Sequence, residues 1–502
     1  MPGTNTIGVV VTDTELPRHD PLDLYVHLRE LLPDRDVFLF ESVDGADQDR
    51  RSAVVGAGRL AEIRVFDGRV EIDGTGPLAP ALARAAAALG MTEDACADPG
   101  AHGLRFTGPD QMWGLLADAQ RLFDVDTRVP PASYAFGFLT TFAYESAWHM
   151  EELPERTKEP RGPDITLTLF RDTVWYDLNT GVIRQLSADS DAFAQAPAPV
   201  DVAGLARRAA EAPAQAPAVP EAPTPLSVRD SVSRETFLDW ADRCLEHIRV
   251  GDIYQIQIGH RIDVETPLTP VEVYRRLRGR NPSPYMYLMP RAGSTLIGAS
   301  PELFFRIEGD TIEMRPIAGT TRRGPDEEEN QRRIKEMRES TKEQAEHIML
   351  VDLCRNDIGR VTRPSTQPVD RLMAVESFSH VFHLVSSVSG LLQEDVGAWD
   401  AVRATFPAGT MTGAPKVRAM EIIDGLEEQR RGSYAGAVGL VDVRGWSELA
   451  LCIRTIEYDG STYSTQSSAG MVAQSEPAAE WRETLAKMGA AYWALTGEEL
   501  LP

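Results

Sequence analysis

Two stretches of this 502-residue chain each set a pair of glutamates three residues apart. In KEQAEHIMLVDLCRND (342–357) they are Glu343 and Glu346, just ahead of the apolar run 348–350. In SEPAAEWRETLAK (475–487) they are Glu480 and Glu483, with Lys487 one turn further on. Residues three apart on an α-helix differ by about 60° around the axis, so each pair projects from one side. Such pairs ordinarily decorate solvated helix faces, and 76 acidic residues produce many by chance. If the two helices faced one another, four carboxylates would converge, and their repulsion would demand protons or a cation. Carboxylate oxygens with room left for water suit Mg²⁺, whereas Zn²⁺ or Cu²⁺ would draw in His or Cys.

A second constellation is FPAGTMTGAPKVRAMEII (406–423), where glycines at 409 and 413 interrupt a Thr-rich loop and Pro415 opens a helix. Free backbone N–H groups at such a junction can bind an anion. The spacing is not that of a nucleotide-phosphate loop, because Lys416 stands three residues beyond Gly413. A carboxylate is the expected anion, and a tight loop without ligand is the alternative. In RPIAGTTRRG (315–324) the Gly319-Thr320 backbone is a comparable donor, and GASPELFF (298–305) places Glu302 at the start of a strand. His383 alternates with apolar neighbours in HVFHLVS, a pattern shared by core and catalytic histidines. Arg454 interrupts the apolar strand CIRT, and burying a guanidinium without an anion is costly.

Composition narrows the partners. A formal charge of −25 argues against nucleic acid and anionic membrane surfaces, and an anionic substrate would need a locally positive pocket or a metal. Cys96, Cys244, Cys354 and Cys452 show no C-x-x-C pairing, so buried thiols are expected, with no zinc site and no disulfide framework. The N-terminus lacks a basic region before an apolar run, and no stretch approaches the roughly 20 apolar residues of a membrane span. A cytoplasmic protein is expected.

The elements that must position these residues fall into three regions: 1–189, an Ala/Pro-rich linker at 190–227 interrupted by a short helix at 202–212, and 228–502. The first region alternates strands at 36–43, 61–74 (a hairpin turning at Asp67-Gly68) and 165–181 with a helix at 78–90. The third opens on a helix capped by Ser233, with Phe237, Trp240, Cys244 and Ile248 on one stripe, feeding the strand IYQIQIGHRIDV. Long helices are expected near 327–352, 415–428 and 477–496. The fold class is α+β, a large layered α/β sandwich.

GDIYQ, NPSPYM, GASPE, RPIAGT, KEQAEHIMLVDLCRND, SHVFHLVS, FPAGTMTGAPK, CIRT and AGMVAQSEPAAEWRETLAK, in this order, resemble the large subunit of anthranilate synthase and its chorismate-utilising relatives. The likeness runs over roughly 250–490, with FLFES and FGFLTTFAYE as thinner matches upstream. It implies antiparallel sheets flanked by helices. It also implies that Glu346 and Glu483 ligate Mg²⁺, that Glu343 and Glu480 hold its waters, and that the metal grips the C1 carboxylate of chorismate. The Gly319 and Thr320 backbone, Thr410, Tyr434, Arg454, a loop of Ser468, Ala469 and Gly470, and Lys487 would hold the remaining oxygens. Glu302 would protonate the departing C4 hydroxyl while ammonia attacks C2, giving 2-amino-2-deoxyisochorismate (2-amino-4-deoxychorismate). His383 would serve the next step, loss of pyruvate to give anthranilate.

Gln255 stands where water-adding isochorismate and salicylate synthases place a lysine base, which favours ammonia, and Ala318 stands where enzymes that aminate C4 carry a nucleophilic lysine. Two departures make release of the amino intermediate for secondary metabolism the alternative. Gln466-Ser467-Ser468-Ala469-Gly470 replaces the usual Gln-Ala-Gly-Ala-Gly, and Gly259-His260 replaces Ser-Gln or Ser-Arg. Glu41 and Ser42, with Pro282, Ser283, Tyr285 and Met286, resemble a tryptophan-feedback pocket. No cysteine lies in a Gly-x-Cys-x-Gly elbow, so ammonia is expected from a separate glutamine amidotransferase subunit, in a homo-oligomer or heterotetramer. A carboxylate-metal hydrolase and a regulator that binds an aromatic acid are the rival classes.

Overall fold

Period-two runs of apolar residues form strands long enough to pair across the whole chain. A computed structural model describes residues 6–501 apart from 97, 99, 212–218, 365–368 and 378–380. Among the described residues, 24 strands are hydrogen-bonded into one connected sheet system, and their pairing is antiparallel except between Ile7–Glu15 and Phe123–Thr127. Helices cover the faces, giving the mixed α/β architecture with a large antiparallel sheet.

Strands from both sides of the Ala/Pro-rich segment pair directly. Val37–Glu41 lies beside Tyr285–Arg291, and Gly137–Phe142 beside Ala437–Asp442. The short helix inside the segment, Val202–Glu211, buries Val202, Leu205, Ala206 and Ala209 against helix Pro21–Arg29. Its expected last residue, Ala212, lies outside the described residues.

The helix expected near 327–352 is two helices, Glu327–Glu339 and Thr341–Gly359. The break is at Ser340, which turns to ψ 113° and accepts the Glu343 backbone N–H on its side chain, 3.3 Å away. Glu343 therefore sits in a first turn, where the helix dipole favours a carboxylate. The C-terminal helix, Pro477–Thr496, matches its expected bounds, with proline in its first turn and Gly497 in the left-handed conformation (φ 78°) at its end.

Several of these elements meet on the strand Gln255–Glu265. One edge pairs with Tyr463–Met471, and the other, at its start, with the two-residue strand Gly413–Ala414. Only glycine fits at 413, because a Cβ there would stand 2.2 Å from the Gln255 carbonyl oxygen. Helix Thr341–Gly359 lies on strands Ile317–Arg322 and Val381–Leu391, and the C-terminal helix lies on Tyr463–Met471. The cysteines are free, with Cys244, Cys354 and Cys452 buried and Cys96 partly so. Among the described residues, no helix is long and apolar enough to cross a membrane.

Candidate active site

Glu302 immediately precedes strand Leu303–Glu308 and is only 8 % exposed. Its carbonyl accepts the Leu451 N–H at 3.0 Å, which fixes the backbone. Burial pushes its carboxyl up to about 8, against the opposing pull of Thr410 and of the Arg454 and Lys487 charges. Thr410 Oγ1 stands 3.5 Å from Glu302 Oε1. A carboxyl that keeps its proton at neutral pH, with two cations nearby, can donate that proton to a leaving group.

Arg454 is not in a strand, as the sequence led us to expect. It occupies the gap between Ser447–Leu451 and Thr455–Tyr458 with φ +49°, a conformation uncommon for a bulky residue. Its carbonyl accepts the Ala299 N–H at 3.2 Å, so the kink is held by the neighbouring strand. Burial lowers its guanidinium, and Glu302 opposes that shift.

His383 is buried in strand Val381–Leu391. Burial, reinforced by Arg454, holds its imidazole down at about 4, so the ring is neutral at pH 7. Nδ1 lies 3.1 Å from the Gly319 carbonyl oxygen, and since a carbonyl only accepts, Nδ1 carries the proton. Gly319 itself takes φ +61° beside a register shift in the strand, and Thr320 stands opposite His383 in the pairing. A Cβ at 319 would fall 3.2 Å from Glu343 Oε2, so the Glu343 carboxylate reaches this glycine.

From Glu302 in the other direction comes Lys487, whose ammonium pairs with Glu483 Oε1 at 2.7 Å and donates to the Ser468 carbonyl at 2.9 Å. Ser468, Ala469 and Gly470 were expected in a loop. They are strand residues, because the ladder with Gln255–Glu265 continues to Met471 opposite Ile256. The Ser468 hydroxyl lies 2.6 Å from the Tyr434 phenol oxygen and 2.9 Å from Gln257 Oε1. The Gln257 and Gln255 amides crowd Gly470, where a Cβ would meet their nitrogens at 2.9 and 3.4 Å. Gln255 Oε1 is buried and has no hydrogen-bond partner in the protein.

Contacts join Glu483 to Lys487 and His383 to Gly319 beside Glu343, and between them the Glu302 carboxyl feels the charges of Lys487 and Arg454 while His383 feels that of Arg454. One glutamate of each pair, Glu483 and Glu343, is thereby tied to a residue of this group. Among the described residues, no three His, Cys, Asp or Glu side chains gather as a ligand set. Their donor chemistry, carboxylate oxygen only, suits Mg²⁺. Lys416 of the Thr-rich loop is committed elsewhere, donating to Asp357 at 2.8 Å and to the Thr405 carbonyl at 3.0 Å.

The sequence reading missed the residues that hold these helices in register. His347, beside Glu346, is buried with Nε2 2.6 Å from the Ser386 hydroxyl, which pins helix Thr341–Gly359 to strand Val381–Leu391. His260 lies buried between Asp230 (Nδ1 to Oδ1, 2.8 Å) and Thr484 (Nε2 to Oγ1, 2.8 Å). It also stacks on Trp481 with ring centroids 4.3 Å apart. Thr484 immediately follows Glu483, so this contact sets the C-terminal helix against the central strand. The one signal was that His260 departs from the resemblance pattern.

The feedback-like residues gather only in part. Glu41, Ser42, Tyr285 and Met286 line a cavity of about 40 Å³ with Pro284 and Trp175, while Pro282 and Ser283 lie to one side. Glu41 is already satisfied by Arg278, at 2.7 and 2.9 Å, and by the Tyr274 hydroxyl at 2.5 Å.

A family model described as chorismate binding enzyme matches residues 85–492. The chain is 46 % identical to the 2-amino-4-deoxychorismate synthase of Streptomyces globisporus over 481 residues, covering 96 % of this chain and 95 % of that protein. It is 41 % identical to anthranilate synthase component 1 of Streptomyces coelicolor, covering 78 % of this chain and 79 % of that protein. Among solved structures, anthranilate synthase component I from Streptococcus pneumoniae is similar with a TM-score of 0.67 at 27 % identity, covering 88 % of this chain and 92 % of that one.

Proposed function

The chain belongs to the family of chorismate-binding enzymes, and from that premise we propose that it aminates chorismate at C2 with ammonia and releases 2-amino-2-deoxyisochorismate (2-amino-4-deoxychorismate). The observation that carries the amination is the buried Glu302 carboxyl, pushed up to about 8 beside Thr410, Arg454 and Lys487. As the C4–O bond breaks, Glu302 gives its proton to the oxygen, which leaves as water. The nitrogen lone pair forms the bond to C2, the ring double bonds shift toward C4, and the surplus proton on nitrogen restores the acid. Gln255 is no base, so a nucleophile that needs no deprotonation is favoured over water.

Glu346 and Glu483 would hold a Mg²⁺ ion and Glu343 and Glu480 its waters. When bound, the ion supplies the charge that neutralises and orients the C1 carboxylate. Arg454, Lys487, Tyr434, Thr410, the Gly319-Thr320 backbone and strand residues 468–470 take the remaining oxygens. Release of the amino intermediate is supported by the 46 % identity that extends over nearly the whole of both chains, and by Ser468 and His260, where the sequence departs from the anthranilate-forming pattern. His383 in the site is the observation favouring the second reading, continuation to anthranilate. A separate glutamine amidotransferase would supply ammonia.

Incubation with chorismate, Mg²⁺ and ammonium, followed by mass and by anthranilate fluorescence, tests this. Accumulation of the amino intermediate with little fluorescence is expected. Full conversion to anthranilate would replace release by the second reading. Untouched chorismate would sink both and leave a carboxylate-metal hydrolase or a non-catalytic regulator.

A further inference from the structure

Resting on that reading, we propose that Ser468 decides where the reaction stops, because its hydroxyl accepts the Tyr434 O–H hydrogen bond and so withdraws Tyr434 from the enolpyruvyl carboxylate that pyruvate loss requires to be held.

The direction of the hydrogen bonds carries this. Ser468 is 1 % exposed and its hydroxyl touches two partners, Tyr434 Oη at 2.6 Å and Gln257 Oε1 at 2.9 Å. An amide oxygen only accepts, so the single Ser468 proton goes to Gln257 and the Tyr434 O–H must donate to Ser468 Oγ. Burial pushes the Tyr434 phenol up to about 12, so it keeps that proton at any working pH. A phenol has one proton to give. Committed to Ser468, Tyr434 presents only lone pairs to an approaching carboxylate and no longer restrains it. With glycine at 468 no side chain would compete, and the phenol would be free to donate to the substrate. The Ser468 carbonyl is in turn fixed by Lys487 at 2.9 Å, which holds the backbone that carries the hydroxyl.

The second step is sensitive to that restraint. Pyruvate loss breaks the C3–O bond and moves the C2 proton to the enolpyruvyl methylene. The C2–H electron pair becomes the new ring double bond, and the enol oxygen becomes the pyruvate carbonyl. Nothing else is consumed. The methylene must stay over the C2 hydrogen, and a misplacement of about 1 Å can cost about a hundredfold in rate. Amination at C2 makes no such demand on the side chain, so it proceeds and the intermediate leaves.

Ser468→Ala removes the hydroxyl and keeps the Cβ in the strand, while Ser468→Gly restores the family residue. Ser468→Thr keeps a hydroxyl. With chorismate, Mg²⁺ and ammonium, the anthranilate-to-intermediate ratio should rise about tenfold or more in the Ala and Gly variants and stay near that of the parent in Thr. Purified amino intermediate given as substrate reads the elimination alone, and there the Ala and Gly variants should form anthranilate faster by the same factor. Adding Tyr434→Phe to either variant should cancel the gain. A parent enzyme that releases the intermediate, with both ratios within twofold of it in the Ala and Gly variants on either substrate, overturns the role of Ser468 alone. A parent that itself makes anthranilate overturns the function on which that role rests.

Discussion

At the residue scale the chemistry turns on a carboxyl that keeps its proton. Glu302→Gln should lower turnover by about 10²- to 10⁴-fold, and the rate of the parent enzyme per free ammonia should fall as pH rises through about 8, where burial has placed this group. The same shift acts on stability. Between the ordinary carboxylate range near 4.5 and about 8, folded Glu302 holds a proton that the unfolded chain has released. Stability is therefore lost as pH rises across that window. Glu302→Gln removes the effect, so thermal melts should show the variant gaining on the parent from pH 5 to pH 8.5, and a constant difference would contradict the buried, neutral carboxyl. His383 and Arg454 were legible in the sequence because ring-nitrogen and charged side chains inside apolar runs demand a reason, Lys487 by its place one turn beyond Glu483, and Glu302 through the family resemblance. Their protonation and the left-handed turn at Arg454 were not, since both depend on what distant segments bury around them.

At the element scale, the site is as good as the register of the two helices that carry its glutamates. The bounds of Pro477–Thr496 were readable from Pro477 and Gly497, which start and stop helices by their own backbone limits. The break at Ser340 was written in the sequence too, as a Ser-x-x-Glu step to Glu343, but serine is tolerated inside helices and the pattern 327–352 concealed it. Ser340→Ala should destabilise by about 1 kcal/mol and loosen the first turn holding Glu343, measurable as faster amide exchange there. His260 is the stronger test of register. His260→Phe keeps the stack on Trp481 but leaves Asp230 and the buried Thr484 hydroxyl without their ring partner, for a loss of about 1–3 kcal/mol in denaturant melts. His260→Gln, which can bond both, should recover part of it. Equal stability in the Phe variant would mean that the ring acts by packing alone. No local pattern announces this clamp, because Asp230, His260 and Thr484 come from three elements.

At the scale of the whole molecule, the Ala/Pro-rich stretch looked like a division, yet strand pairing crosses it, since composition records local stiffness and not which distant edges match. The four cysteines, spread over the whole chain, bear on the source of ammonia. Burial pushes the Cys244 and Cys452 thiols up to about 12 and raises Cys354 as well, so none of these is a thiolate nucleophile at neutral pH. Cys96 lies in DACADPG, without the glycine-flanked elbow a glutaminase needs. The purified chain should therefore turn over with ammonium and not with glutamine, and glutamine-dependent turnover by the chain alone would refute the separate subunit. The ammonium rate carries its own signature. Only free ammonia has the lone pair that attacks C2, so at fixed total ammonium the rate should climb as pH rises. Above about 8 it must level off, as Glu302 loses the proton it gives to the leaving hydroxyl while free ammonia is still increasing. Expressed per free ammonia, the climbing limb should flatten and a descent through about 8 should emerge, because the first belongs to the nucleophile in solution and the second to a carboxyl buried in the protein.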